Sequence, residues 1–94
     1  MNEHPKVSWV NEHIEYGLFV DGFEDAIIGI SERIGRDPIV AYDRDKCIEI
    51  LANTMEPTDD DDDPYTMAIE YFDFNVIGAW MGDGTPEFIT LYPE

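Results

Sequence analysis

Basic residues are scarce in this sequence. Lysine and arginine together number 5 in 94 residues, against 22 aspartate and glutamate residues, so the formal net charge is −17. From Cys47 to Glu94 there is no basic residue at all. A surface of this sign repels nucleic acid and anionic membranes, so we expect neither as a direct partner.

The sequence also lacks a second cysteine and any long apolar run. A lone Cys47 excludes an intramolecular disulfide and is typical of a reducing compartment. Its place in an apolar stripe predicts a buried side chain rather than a nucleophile. No stretch approaches the ~20 apolar residues of a membrane span, and residues 1–10 lack the pattern of a signal peptide. We therefore expect a cytoplasmic protein.

Apolar residues make up 44% of the chain and aromatic residues 13%, which is enough for one core. We predict a single domain over residues 1–94 of the α+β class, a small sheet of two to four short strands covered by two or three helices. Residues 1–16 combine strand-like spacing of Val7 and Trp9 with helix-like spacing of Val10 and Ile14. This segment is left unassigned and is expected to be weakly ordered or peripheral.

The next segments alternate apolar runs and turn residues. Residues 17–20 are predicted to form a short buried strand that enters a turn. Residues 21–34 fit an amphipathic helix closed by Gly35, but the β-branched residues at 27–30 leave a hairpin as the competing assignment. Residues 39–42 have the length and branching of a strand buried on both faces.

Two further helices and a strand are predicted in the second half. A helix over residues 44–55 begins at the N-cap Asp43, and an acidic loop spans residues 57–63. Another helix begins at Pro64 with Asp63 as its N-cap. Met67, Ala68, Tyr71 and Phe72 are expected on its buried face. Residues 87–92 alternate like a half-exposed edge strand.

Several motifs resemble a group of small, acidic, uncharacterised proteins encoded by tailed bacteriophages. They are Asp25-Ala26-Ile27-Ile28-Gly29, Tyr42-Asp43 with Lys46-Cys47-Ile48, and Phe74-Asn75-Val76-Ile77-Gly78-Ala79-Trp80 with Gly82 and Thr85-Pro86. The resemblance covers most of residues 21–89 and implies a viral origin. The acidic run of residues 59–63 departs from the group, and the resemblance assigns no catalytic or binding residue.

One metal-site pattern is present. Asp59, Asp61, Asp63 and Glu70 occupy positions 1, 3, 5 and 12 of a calcium-binding EF-hand loop. Pro64 stands at the sixth position, where the loop needs glycine, so a solvated acidic loop is the favoured interpretation. No catalytic motif is recognisable, and we expect a protein that is not an enzyme and has no cofactor.

The leading functional hypothesis is an acidic binding protein that occupies a basic surface of a host protein. That partner would bind nucleic acid, and the carboxylates would stand where phosphates lie, as in a DNA mimic or inhibitor. The alternatives are an accessory phage protein that self-associates as a homo-oligomer through its edge strand and a domain that binds divalent cations. The predicted partner-binding acidic face comprises Glu49, Glu56, Asp59, Asp60, Asp61, Asp62, Asp63, Glu70, Asp73, Asp83 and Glu87.

Overall fold

A computed structural model describes residues 4–15, 17–55, 63–78 and 84–93. It confirms a small α+β fold in which helices pack on a three-stranded mixed sheet. The elements in chain order are helix α1 (Pro5–His13), a 3₁₀ turn (Glu24–Ala26), strands β1 (Ile27–Arg33) and β2 (Arg36–Asp43), helices α2 (Arg44–Thr54) and α3 (Pro64–Tyr71), a π-helical turn (Phe72–Val76) and strand β3 (Glu87–Ile89).

The sheet has the strand order β1-β2-β3. Strands β1 and β2 form an antiparallel hairpin, and β3 pairs in parallel with β2, with Ala41 opposite Glu87. The hairpin turn is Ile34-Gly35, in which Gly35 has a φ of +80°. This left-handed backbone conformation favours glycine, which explains the residue at that position.

The predicted helix over residues 21–34 is wrong, and the competing hairpin forms instead. Only the single 3₁₀ turn of residues 24–26 is helical in this segment. Ile27 pairs with Tyr42 and Ile30 with Val40 across the hairpin. Branched side chains lose rotamer freedom in a helix and pack well on a sheet, so this cross-strand pairing outweighs the helical spacing.

The strand predicted for residues 17–20 is also wrong, because this segment is irregular. Phe19 and Val20 still pack against the core. The Val20 N–H donates a hydrogen bond of 2.9 Å to the Tyr42 hydroxyl, rather than joining a strand ladder. A backbone donor that is partly removed from solvent needs a partner, and here a side chain provides it.

The central strand and the following helix are confirmed. Residues 39–42 lie in β2 and all four are buried. Helix α2 begins where predicted, because the Asp43 carboxylate accepts a hydrogen bond of 3.3 Å from the Lys46 N–H. Cys47 and Ile48 are its buried residues. The sheet and α2 therefore share one apolar interior.

Three aromatic rings complete the core: one from β2, one from β3 and one from the π-helical turn after α3. Phe88 of β3 stacks on Tyr42 at 5.5 Å between ring centroids and meets Phe72 edge-on at 4.9 Å. Such offset and edge-on pairs are the favoured aromatic geometries. The predicted strand of residues 87–92 is thus present, but only residues 87–89 pair with β2.

Helix α1 occupies part of the segment that the sequence left unassigned and expected to be peripheral. Its Val10 is completely buried in the core, together with Ile14 just after the helix. The side chain of His4 joins α1 to the 3₁₀ turn, because its Nε2 lies 2.7 Å from a carboxylate oxygen of Asp25. The Lys6 ammonium donates to the Asp25 carbonyl oxygen at 2.6 Å.

Candidate functional site

Five members of the predicted acidic face lie in the described part of the chain. Glu49, Asp63, Glu70, Asp73 and Glu87 are all exposed. The remaining six members lie outside the described residues: Glu56, Asp59, Asp60, Asp61, Asp62 and Asp83. The structure therefore positions about half of the predicted face, on α2, on α3 with its π-helical turn, and on β3.

Two of these carboxylates form ion pairs within the helical layer, which we define as residues 44–55 and 63–78. Asp73 accepts a hydrogen bond of 2.9 Å from Arg44, which joins the π-helical turn to α2. Glu49 lies 3.7 Å from the Lys46 ammonium on the same helix. Arg44 also lies over the Phe72 ring, 5.5 Å from its centroid. The two cations of this layer are therefore already neutralised by its own side chains.

Glu87 belongs to a polar cluster that crosses the sheet. Its Oε1 accepts hydrogen bonds from the Ser31 hydroxyl at 2.7 Å and from the Arg36 guanidinium at 3.1 Å. Arg36 also donates to the Ser31 hydroxyl at 3.1 Å, so the cluster connects β1, β2 and β3. The Ser31 hydrogen bond, followed by Arg36, holds the pKa of Glu87 below its usual range. This carboxylate therefore has a role in holding the sheet together.

Asp63 acts as the N-cap of α3, as the sequence predicts. One of its carboxylate oxygens accepts from the Tyr65 N–H at 3.1 Å and the other from the Thr66 hydroxyl at 3.0 Å. Both oxygens are thus occupied within the helix terminus. Of the predicted acidic face, this leaves Glu70 as the described carboxylate that has neither an ion pair nor a capping role.

Only part of the predicted calcium-binding pattern lies in the described residues. Asp59 and Asp61 lie outside the described residues, and the Asp63 carboxylate is engaged in capping. Across residues 4–15, 17–55, 63–78 and 84–93, no group of three or more His, Cys, Asp or Glu side chains is arranged to hold a metal ion. The EF-hand interpretation gains no support from these residues.

Cys47 and His13 have side chains capable of nucleophilic or acid–base chemistry, but each has a structural role within the protein. Cys47 is fully buried, and burial raises the pKa of its thiol to about 12. It is therefore protonated and inaccessible, as expected for a small core residue. His13 bonds the Trp9 carbonyl oxygen at 2.7 Å, within its own helix.

An exposed apolar stripe on α3 and its π-helical turn was missed by the sequence reasoning. Tyr71 is 48% exposed, although it was predicted on the buried face, and Phe74 and Ile77 are 88% and 50% exposed. The Ile77 N–H bonds the Phe72 carbonyl oxygen at 3.0 Å, which closes the wider π-helical turn. The clue in the sequence was the apolar density of residues 71–77, which exceeds what one helix face can bury.

The surface of the described residues includes two depressions. A shallow one of about 300 Å³ lies between α1 and β1 and is lined mainly by apolar atoms, including those of Pro5, Trp9 and Ile28. An open cleft of about 1180 Å³ runs from Ile77 to the hairpin, where Arg36 and Glu87 line it. Its volume exceeds the roughly 300–1,000 Å³ of most small-molecule sites.

Comparison with protein-family models, with curated proteins and with solved structures found no match. None of the helices in the described part of the chain has the length and apolar content that crossing a bilayer requires. The functional inference below therefore depends on the chain's own charges, contacts and exposed side chains.

Proposed function

We propose that this protein is a non-enzymatic binding protein that attaches to a cationic surface of another protein through its helical layer. The charge balance of that layer carries the proposal. The helical layer and the segment 56–62 that joins its two parts in the sequence contain ten acidic and two basic residues, and both cations are paired with carboxylates of the layer. A net charge of −8 therefore remains for an external partner to neutralise.

The carboxylates that have no internal partner define the proposed contact. Asp45 and Glu70 are exposed on α2 and α3, two helices that pack against each other. The acidic run of residues 59–63 connects these helices in the chain. Glu49, Asp73 and Glu87 contribute charge but are engaged within the molecule. We expect the unpaired groups to contribute most to partner binding, because their charge is not yet compensated.

The proposed partner is a basic protein that binds nucleic acid, in the cytoplasm of the host cell if the chain is phage-encoded. A patch that normally faces phosphates is a surface dense in lysine and arginine. Carboxylates of the helical layer would compete with nucleic acid for it, so the protein would act as an inhibitor or DNA mimic. The resemblance to phage-encoded proteins supports a host partner, and the charge balance supports its basic character.

Affinity capture from a lysate of the natural host tests this function. Immobilised protein is expected to retain a basic nucleic-acid-binding protein at low salt, to release it at high salt and to lose it when DNA is added. Recovery of the bait alone would contradict the proposal. It would favour self-association as an accessory protein, for which the exposed side chains of Ile89 and Tyr92 beside β3 provide apolar surface.

Matched charge variants localise the contact. In the first variant Asp45→Asn, Glu49→Gln and Glu70→Gln remove three negative charges from α2 and α3. We expect it to weaken the captured complex about tenfold, which corresponds to about 1.4 kcal/mol.

The control variant removes the same number of charges elsewhere, through Glu12→Gln, Glu15→Gln and Glu32→Gln on α1, just after it and on β1. These residues are exposed and lie outside the helical layer. Equal weakening by both variants would show that net charge, rather than the helical layer, attracts the partner.

A further inference from the structure

The helical layer carries apolar as well as acidic side chains on its outer side. Phe74 is 88% exposed, and Tyr71 and Ile77 lie on either side of it with about half of each side chain exposed. The buried side of the same segment is formed by Ala68 and Phe72. We call these three exposed residues the apolar stripe. Their exposed surface does not contribute to the core. An exposed phenylalanine of this kind is a typical anchor of an interface.

The local backbone is unusual at the same place. A π-helical turn spans Phe72–Val76, directly after α3. Turns of this kind are rare and occur frequently at functional sites, because they change the direction of the following side chains. Within this turn Phe72 is buried and Phe74 is exposed.

Acidic groups border the apolar stripe. Glu70 precedes Phe74 by four positions in the chain and is exposed like it. Asp73 lies next to Phe74 and is 2.9 Å from Arg44. Among the ion pairs of the described residues, none includes Glu70 or Asp45. A partner that covers the apolar stripe must therefore present apolar side chains in its centre and positive charges at its border.

From this combination we infer the chemical class of the partner segment: a cationic amphipathic helix whose apolar face covers Tyr71, Phe74 and Ile77 and whose lysine or arginine residues meet the surrounding carboxylates. A helix with apolar residues at positions i, i+3, i+4 and i+7 forms a narrow apolar face of this kind. The inference deepens the proposed function and depends on it.

The open cleft of about 1180 Å³ begins at Ile77, so the bound helix can extend past the end of the stripe. Its charged lining residues balance, because it contains Arg33 and Arg36 together with Asp37 and Glu87. The attraction for positive charge therefore comes from the helical layer and not from the cleft. We therefore expect the cationic residues of the partner to lie over the helical layer.

Two synthetic peptides of equal composition test the inference by isothermal titration calorimetry with the full-length protein. The first contains leucine and lysine in the amphipathic order and is about 18 residues long, since helices shorter than about 12–15 residues are marginal in water. The second has the same residues in a scrambled order without an apolar face. We expect the amphipathic peptide to bind at least about tenfold more tightly than the scrambled one.

Two protein variants locate the contact. Phe74→Ser is expected to weaken binding of the amphipathic peptide about tenfold or more, with an unchanged circular dichroism spectrum. Ile34→Ser is the matched control, because this apolar residue is fully exposed at the tip of the hairpin. It is expected to leave the dissociation constant unchanged. Equal weakening by both variants would overturn the assignment to the stripe.

The outcomes separate this inference from the proposed function. Equal, salt-sensitive binding of both peptides would refute the amphipathic helix and retain a purely ionic acidic surface. Absence of binding by either peptide would refute both. Preference for the amphipathic peptide, lost in Phe74→Ser and kept in Ile34→Ser, would support both.

Discussion

Replacing Phe72 by alanine tests how the helical layer is fastened to the sheet. Phe72 is completely buried at the junction of α3 and its π-helical turn. Its ring meets Phe88 edge-on at 4.9 Å and Phe23 at 6.5 Å, and Arg44 lies over its face. The substitution removes a ring that contacts a strand, the segment before the 3₁₀ turn and α2 at once.

The expected loss is large relative to the whole stability. Truncating a buried phenylalanine to alanine costs about 3–5 kcal/mol through lost burial and a residual cavity. A domain of this size has a free energy of unfolding of roughly 5–14 kcal/mol. We therefore expect Phe72→Ala to remove about 4 kcal/mol. Phe72→Leu, which keeps most of the apolar area, is expected to remove about 1–2 kcal/mol.

Urea denaturation monitored by circular dichroism measures this loss. With an m-value of about 1–3 kcal/mol/M, a loss of about 4 kcal/mol lowers the midpoint by roughly 2 M. Phe74→Ala is the matched control, because it removes the same ring two positions away, where it is 88% exposed. Its effect is expected to stay within about 0.5 kcal/mol.

Similar midpoints for Phe72→Ala and Phe74→Ala would refute the burial pattern of this segment. So would a larger loss for Phe74→Ala. If Phe72→Ala does not fold, the graded loss in Phe72→Leu still distinguishes the two positions. The comparison thus has an interpretable result whatever the stability of the alanine variant.

Three other predictions follow from particular contacts. The lowered pKa of Glu87 means that its contribution to stability is present above its unfolded pKa of about 4.5 and is lost as the pH falls through the folded pKa. Because its side chain is 45% exposed, Glu87→Gln is expected to lower the free energy of unfolding at pH 7 by at most about 1 kcal/mol. In acid denaturation series, the difference in stability between this variant and the wild type is expected to vanish at low pH. The Cys47 thiol, with its pKa of about 12, is expected to react slowly with iodoacetamide at pH 8. Mass spectrometry should show a rate at least about a hundredfold lower in the folded protein than in the protein unfolded by urea. Asp63→Ala is expected to cost about 1 kcal/mol in thermal unfolding through loss of the α3 cap.

Each of these predictions has a conservative comparison. Glu70→Gln removes the same charge as Glu87→Gln without breaking an ion pair, and a pH dependence equal in both would contradict the role of the sheet cluster. Fast alkylation of folded protein would contradict burial of Cys47. Asp63→Asn keeps a capping oxygen and is expected to match the wild type, so an equal loss in the alanine and asparagine variants would argue against capping.

Much of the fold could be predicted where local signals agree. Asp43 and Asp63 are caps at the starts of α2 and α3, and residues 39–42, which begin with the β-branched Ile39 and Val40, form the buried part of the central strand. Residues 21–34 could not be assigned correctly, because their apolar spacing fits a helix and only pairing with β2 selects the hairpin. That pairing is a cross-strand interaction, which the spacing of apolar residues within one segment does not reveal.

The candidate site could be predicted less well than the fold. The acidic residues were identified from composition, but Arg36 and Arg44 neutralise Glu87 and Asp73 across large sequence separations. These ion pairs exist only because the topology brings the elements together. The exposure of Tyr71, three positions after the buried Ala68, was likewise not indicated by the helical spacing of this segment.

The parallel pairing of β3 has a consequence for the order of folding. The hairpin of β1 and β2 closes over a two-residue turn, whereas β3 must bring Glu87 beside Ala41 across the whole helical layer. Closing that longer loop costs about 2–3 kcal/mol more chain entropy. We therefore expect β3 to dock after the hairpin and helices have formed. Substitutions of Phe88 should then accelerate unfolding in stopped-flow experiments and leave the folding rate nearly unchanged, since its ring joins Tyr42 and Phe72 after the rate-limiting barrier.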